Sequence, residues 1–136
     1  MAGTANSIIT PQTPKSAVAN VSAANSTYTT SPNNTALLVT AGANGARLTR
    51  LHAIPVATVT TANQLQVFRS PDSGTTKRFA DSAVMATYAM AQNTAAPKTD
   101  FGYSDDNPMI LSAGEALYVA VGQAQSVDFV AEWADY

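Results

Sequence analysis

A chain of 136 residues, 46% apolar and with a formal net charge of −2, fits one domain able to bury roughly 65–70% of its unfolded surface. With no cysteine, a disulfide framework, a thiol nucleophile and Cys-ligated zinc are excluded. The weak negative charge argues against nucleic-acid binding, which needs a basic patch to replace phosphate counterions, and no apolar run approaches the roughly 20 residues that span a bilayer.

Taken in chain order, Met1 to about Asn34 is a distinct region. It is rich in Ser, Thr, Asn and Ala, and contains Pro11, Pro14 and Pro32. It lacks the basic, apolar and small-residue order of a signal peptide, so export by that route is not expected. A free tail and an extended arm lying on a neighbouring subunit are the two readings of this composition. The arm is favoured here. Ile8, Ile9, Val18, Val21 and Tyr28 are isolated anchors along it, and Pro11 and Pro14 hold it extended. These seven residues are the candidate contacts with a neighbouring subunit.

The β-domain is expected over residues 35–136. Thr35–Thr40 is β-prone, Ala41–Ala46 contains the turn signal Asn44-Gly45, and Arg47–Ile54 follows; together they read as a hairpin closed by Pro55. Val56–Asn63 reads as a loop. Gln64–Arg69 alternates cleanly, Ser70–Gly74 is a turn by composition, and Thr76–Ala83 returns as a partner strand. Val84–Gln92 fits either a short helix or a strand continuing from Phe79; its β surroundings favour the strand. Asn93–Asn107 reads as a loop.

Three strands then end the chain. Met109-Ile110-Leu111 precedes the turn Ser112–Glu115, Ala116–Val121 precedes a polar break, and Val127–Tyr136 places Val127, Phe129, Ala131 and Trp133 on one face. Short strands divided by regular turns predict a mainly β fold, an antiparallel β-sandwich or jelly-roll-like barrel. The expected core is Leu38, Leu48, Leu51, Leu65, Val67, Phe79, Leu111, Leu117, Val119, Phe129 and Trp133. Only 12% of residues are charged, about half the usual quarter, which favours contact with other protein because few charges need desolvation.

Chemistry is sparsely encoded. His52 is the only histidine, which argues against a zinc site; it reads as a polar residue on a strand. Asp100, Asp105, Asp106 and Asn107 match no EF-hand spacing and read as turn formers, with calcium ligation the other possibility. Asp128, Glu132 and Asp135 read as solvent or subunit-contact charges rather than a paired-carboxylate site. Arg47, Arg50, Arg69, Lys77 and Arg78 are expected to gather at one end of the two hairpins, facing acidic groups of a neighbour. No phosphate-cradling, nucleophile-elbow or HExxH motif occurs. No catalytic residue, cofactor or metal is expected, and the chain is read as not an enzyme.

Three phrases resemble small virion proteins of tailed bacteriophages: Ser7–Lys15, Leu38–Leu48 with its Ala-Gly turn, and Leu111–Val119. The resemblance runs from Ser7 to Tyr136 and rests on turns. It implies a capsid-associated β-sandwich, a decoration or cement protein that stabilises the assembled head. The implied partners are the major capsid protein and further copies in a homotrimer, on the virion surface, with neither nucleic acid nor membrane. The alternative is a head-fibre base or tail component with a receptor- or carbohydrate-binding module, for which Tyr88, Phe101, Tyr103 and Tyr136 are the candidate aromatics.

Overall fold

A computed structural model describes residues 10–29 and 31–136. Two antiparallel sheets pack face to face, and no helix occurs among the described residues. The strands are β1 (Thr13–Val21), β2 (Ala36–Thr40), β3 (Ala46–Pro55), β4 (Asn63–Ser70), β5 (Arg78–Met85), β6 (Thr99–Asp100), β7 (Met109–Leu111), β8 (Ala116–Val121) and β9 (Val127–Asp135). One sheet has the order β1-β9-β3-β6, with β7 also paired to β3; the other has the order β2-β8-β4-β5. The expected β-sandwich is therefore present.

The alternation of β9 sets the core. Val127, Phe129, Ala131 and Trp133 are buried, while Asp128, Val130, Glu132 and Ala134 are more exposed. Strand β3 faces β9 with Leu48, Leu51 and Ala53 inward. Leu48 and Leu51 are three residues apart, and strict period two would turn one of them outward. The register shifts between Leu48 and Arg50, and this bulge at Thr49 keeps both inside. From the opposite sheet Leu65, Val67, Leu117 and Val119 close the core, each wholly buried. Full burial of one such side chain contributes about 1.5–3 kcal/mol.

Three expectations are corrected. The folded part does not start at Thr35 but takes in residues 13–21, which pair with β9 along the whole of β1. The stretches 35–40 and 47–54 do not form a hairpin. β2 pairs with β8 in one sheet and β3 with β9 in the other, so Ala41–Gly45 is a corner that carries the chain between sheets. Gly45 turns there at φ +88°, and a Cβ at that position would lie 2.6 Å from the Leu111 carbonyl oxygen. Finally, Phe79 is 40% exposed and lies outside the core. The β4–β5 register shifts between Val67 and Phe68, which leaves Ala80 unpaired and turns Phe79 to the outer face. The other ten expected core residues are buried.

That outer face has a small core of its own. Gln66 and Phe68 point away from the sandwich, yet they are 1% and 0% exposed. The segment 22–35 crosses over them on its way from β1 to β2. It is held by a parallel bridge from Ala24 to Val121, by stacking of Tyr28 on Phe79 at 4.9 Å, and by Phe79 on Phe68 at 5.5 Å.

Candidate functional site

Side-chain chemistry concentrates in three places. The first is the polar lock under the 22–35 segment. Asn25, 3% exposed, donates from Nδ2 to Gln66 Oε1 and to the Thr27 carbonyl, both at 2.8 Å. Its Oδ1 accepts from the Asn33 N–H at 2.9 Å and the Thr27 N–H at 3.3 Å. Gln66 donates onward to Gln64 Oε1, which also accepts from the Tyr28 hydroxyl at 2.6 Å. Asn25 uses both amide donors and its acceptor, as a buried amide must. Nothing in its sequence context marks it; only an Asn in a Ser/Ala-rich stretch is visible there.

The second is the corner that joins the two sheets. The Ala41 N–H donates to the Glu115 carbonyl at 2.8 Å, and the Gly114 N–H donates to the Gly42 carbonyl at 3.0 Å. Glu115 accepts two bonds from Arg69, at 2.6 and 2.9 Å, and one from the Ser112 N–H at 2.8 Å. Those bonds, the Arg69 ones foremost, hold the Glu115 carboxyl below the usual carboxylate range and raise the Arg69 guanidinium. Asp135, 5% exposed, accepts from Lys15 at 2.7 Å and from the Gly42 N–H at 3.1 Å. The five cations divide between the sheets, with Arg69 opposite Arg78 on β4 and β5 and with Arg47 and Arg50 on β3 of the other sheet. Arg69 is paired within its own chain, Arg47 donates to the Asp105 carbonyl, and Lys77 sits 4.6 Å over the Tyr118 ring. Of the acidic tail residues, Asp128 and Glu132 lie on the outer face and Asp135 is buried.

The third is an open groove of ≈ 630 Å³ on the outer face of the first sheet. Pro11, Pro14, Arg47, Thr49 and Glu132 line it. His52 lies further along β3, opposite Val130 and Asp100. Burial, with Arg50 and Lys98 nearby, lowers its pKa against the opposing pull of Asp100 and Glu132. Among the described residues its buried Nδ1 has no partner, and none of their carboxylates or hydroxyls orients the ring through that nitrogen as in a catalytic triad.

The acidic loop sets turns: Asp100 accepts from the Gly102 N–H at 2.7 Å, and Ser104 and Asn107 exchange backbone bonds at 3.2 Å. Among the described residues no group of three or more His, Asp or Glu side chains is placed to hold a metal. Of the candidate aromatics, Phe101 and Tyr103 pack against the core, and Tyr103 donates to Asp81 at 2.5 Å. That bond joins the β6–β7 connection to β5 across the open side of the sandwich.

Of the seven candidate contact residues, the five that are described do not gather into one patch. Ile8 and Ile9 lie outside the described residues. Pro11 and Pro14 line the groove, Val18 is exposed on β1, Val21 is buried in the chain's own core, and Tyr28 stacks on Phe79. No protein-family model and no curated protein matches the chain.

Proposed function

We propose that this chain is a structural protein of a tailed-phage virion, a decoration or cement protein that binds the assembled head and stabilises it. One observation carries the reading furthest. Two of the three phrases that resemble such proteins, Leu38–Leu48 and Leu111–Val119, meet as one corner, joined through Ala41–Glu115 and Gly42–Gly114. The resemblance therefore follows an architectural unit, as expected for a part whose work is to hold shape. The weakly charged, hydroxyl- and amide-rich surface supports the same reading, since little charge is desolvated when such a surface meets a shell. In this reading the partner is the major capsid protein, the location is the capsid surface, and the role is structural, not catalytic. Ile8 and Ile9 remain the proposed shell anchors, a few residues before Pro11 and the start of β1 at Thr13.

The test is co-sedimentation with undecorated phage heads. Full-length chain is expected to pellet saturably with heads, and a chain lacking residues 1–10 to pellet weakly. That deletion spares β1, whereas removal of Met1–Asn25 would strip a strand from the sheet. Failure of the full chain to bind heads refutes the reading; equal binding by the truncated chain refutes the anchor alone.

A further inference from the structure

The two sheets treat their outer edges differently. β5, an edge of the second sheet, carries a bulge at Ala80, and Asp81 beside it accepts the Ser82 N–H and the Tyr103 hydroxyl. A bulge and a charge are the usual devices that keep an edge from pairing with another chain. Among the described residues β1 ends the first sheet, and it has no bulge: its register with β9 is unshifted from Thr13 to Val21. Its only charge, Lys15, is drawn inward to Asp135 at 2.7 Å.

The ladder shows which backbone groups of β1 have no partner among the described residues. The Tyr136 N–H donates to the Gly45 carbonyl, and the Val56 N–H donates to the Ser126 carbonyl. Even-numbered residues of β9 thus bond towards β3, and odd-numbered ones bond towards β1. In the observed register Lys15, Ala17 and Ala19 therefore make the ladder, while Ser16, Val18 and Asn20 turn N–H and C=O away from the sheet. Pro14, which has no N–H, falls in this outward set, the place an edge strand tolerates it. Val18, at the middle, is 63% exposed beside the half-buried Val130 of β9.

We propose that β1 is a self-pairing edge, joining two copies of the chain antiparallel about a two-fold axis through Val18. Val18 then exchanges both backbone bonds with Val18 of the second copy, and Ser16 exchanges them with Asn20. Ala17 faces Ala19 and Lys15 faces Val21, so no like charges meet. On the outer face Val130 and Val18 continue into Val18 and Val130 of the second copy as one apolar stripe. The strand is self-complementary about Val18, as an isologous contact requires. It makes a dimer, in place of the trimer that the resemblance implies, and it is independent of shell binding.

Sedimentation equilibrium of the full-length chain is the test. The expected mass is twice that of one chain, and Val18→Lys should weaken the dimer by about 10-fold by setting two ammonium groups side by side in place of the two valines. Circular dichroism and melting temperature should stay at wild-type values, and a mixture of V18K with V18E should restore the two-chain mass. Val18→Pro is the second variant: it deletes one outward donor, leaves the bonds to β9 in place and should also weaken the dimer. A monomeric or trimeric wild type, or a dimer whose dissociation constant V18K leaves within about twofold, overturns the proposal.

Discussion

Replacing Asn25 by Ala should uncouple the 22–35 segment from the sheet it covers. The substitution removes the Nδ2 bonds to Gln66 and to the Thr27 carbonyl, and the acceptor for the Thr27 and Asn33 N–H groups. Gln66 is only 1% exposed, so its Oε1 is left buried without that donor, at a cost of about 1–3 kcal/mol. The Thr27 and Asn33 groups are half-buried or exposed and recover bonds to water, so together they add about 1 kcal/mol. The expected loss is about 3 kcal/mol, read as a lowered urea midpoint at unchanged slope. In a thermal scan it corresponds to roughly 10–15 °C for a domain of this size. Asn25→Asp should be at least as damaging, because it retains the acceptors and loses both donors. A loss below about 1 kcal/mol for Asn25→Ala would refute the idea that this amide locks the segment down.

Trp133→Ala should cost about 3–5 kcal/mol by urea denaturation, because the ring is 8% exposed within the core. Gly45→Ala should cost more than about 1 kcal/mol, since a left-handed φ adds to a Cβ 2.6 Å from the Leu111 oxygen. Stability should fall on acidification in two windows. The folded state lowers the pKa of His52, so its contribution is fully present above the ordinary value of 6.5 and declines as pH falls below that value towards the folded pKa. Glu115 is likewise lowered, from 4.5, and its contribution is lost at still lower pH, as pH falls through the folded pKa. His52→Ala should abolish the upper window, and Glu115→Gln the lower one, in urea titrations across pH. His52→Ala should leave shell binding unchanged, and a loss of binding would show that the β3 face takes part in it.

Much of the sandwich follows from local pattern. The alternation of Val127–Trp133 names the buried face of β9 without any knowledge of its neighbours, because period two is a property of the strand itself. The 64–69 and 78–83 stretches pair as adjacent strands for the same reason: a short polar turn leaves them little else to meet. What tertiary structure decided is everything that depends on a distant partner. The Asn44-Gly45 signal marks a reversal, but which sheet each flank enters is set by β8 and β9, about seventy to ninety residues later in the chain. Bulges at Thr49 and Ala80 arise from pairing and not from residue preference, so Leu51 is saved for the core and Phe79 is lost from it. Residues 13–21 look like a tail because their small side chains form no face of their own. They become a strand because β9 offers an unpaired edge. The function of Asn25 was illegible for the same physical reason: a buried amide is defined by the groups around it, and the one that ties it to the sheet, Gln66, lies 41 residues away in sequence.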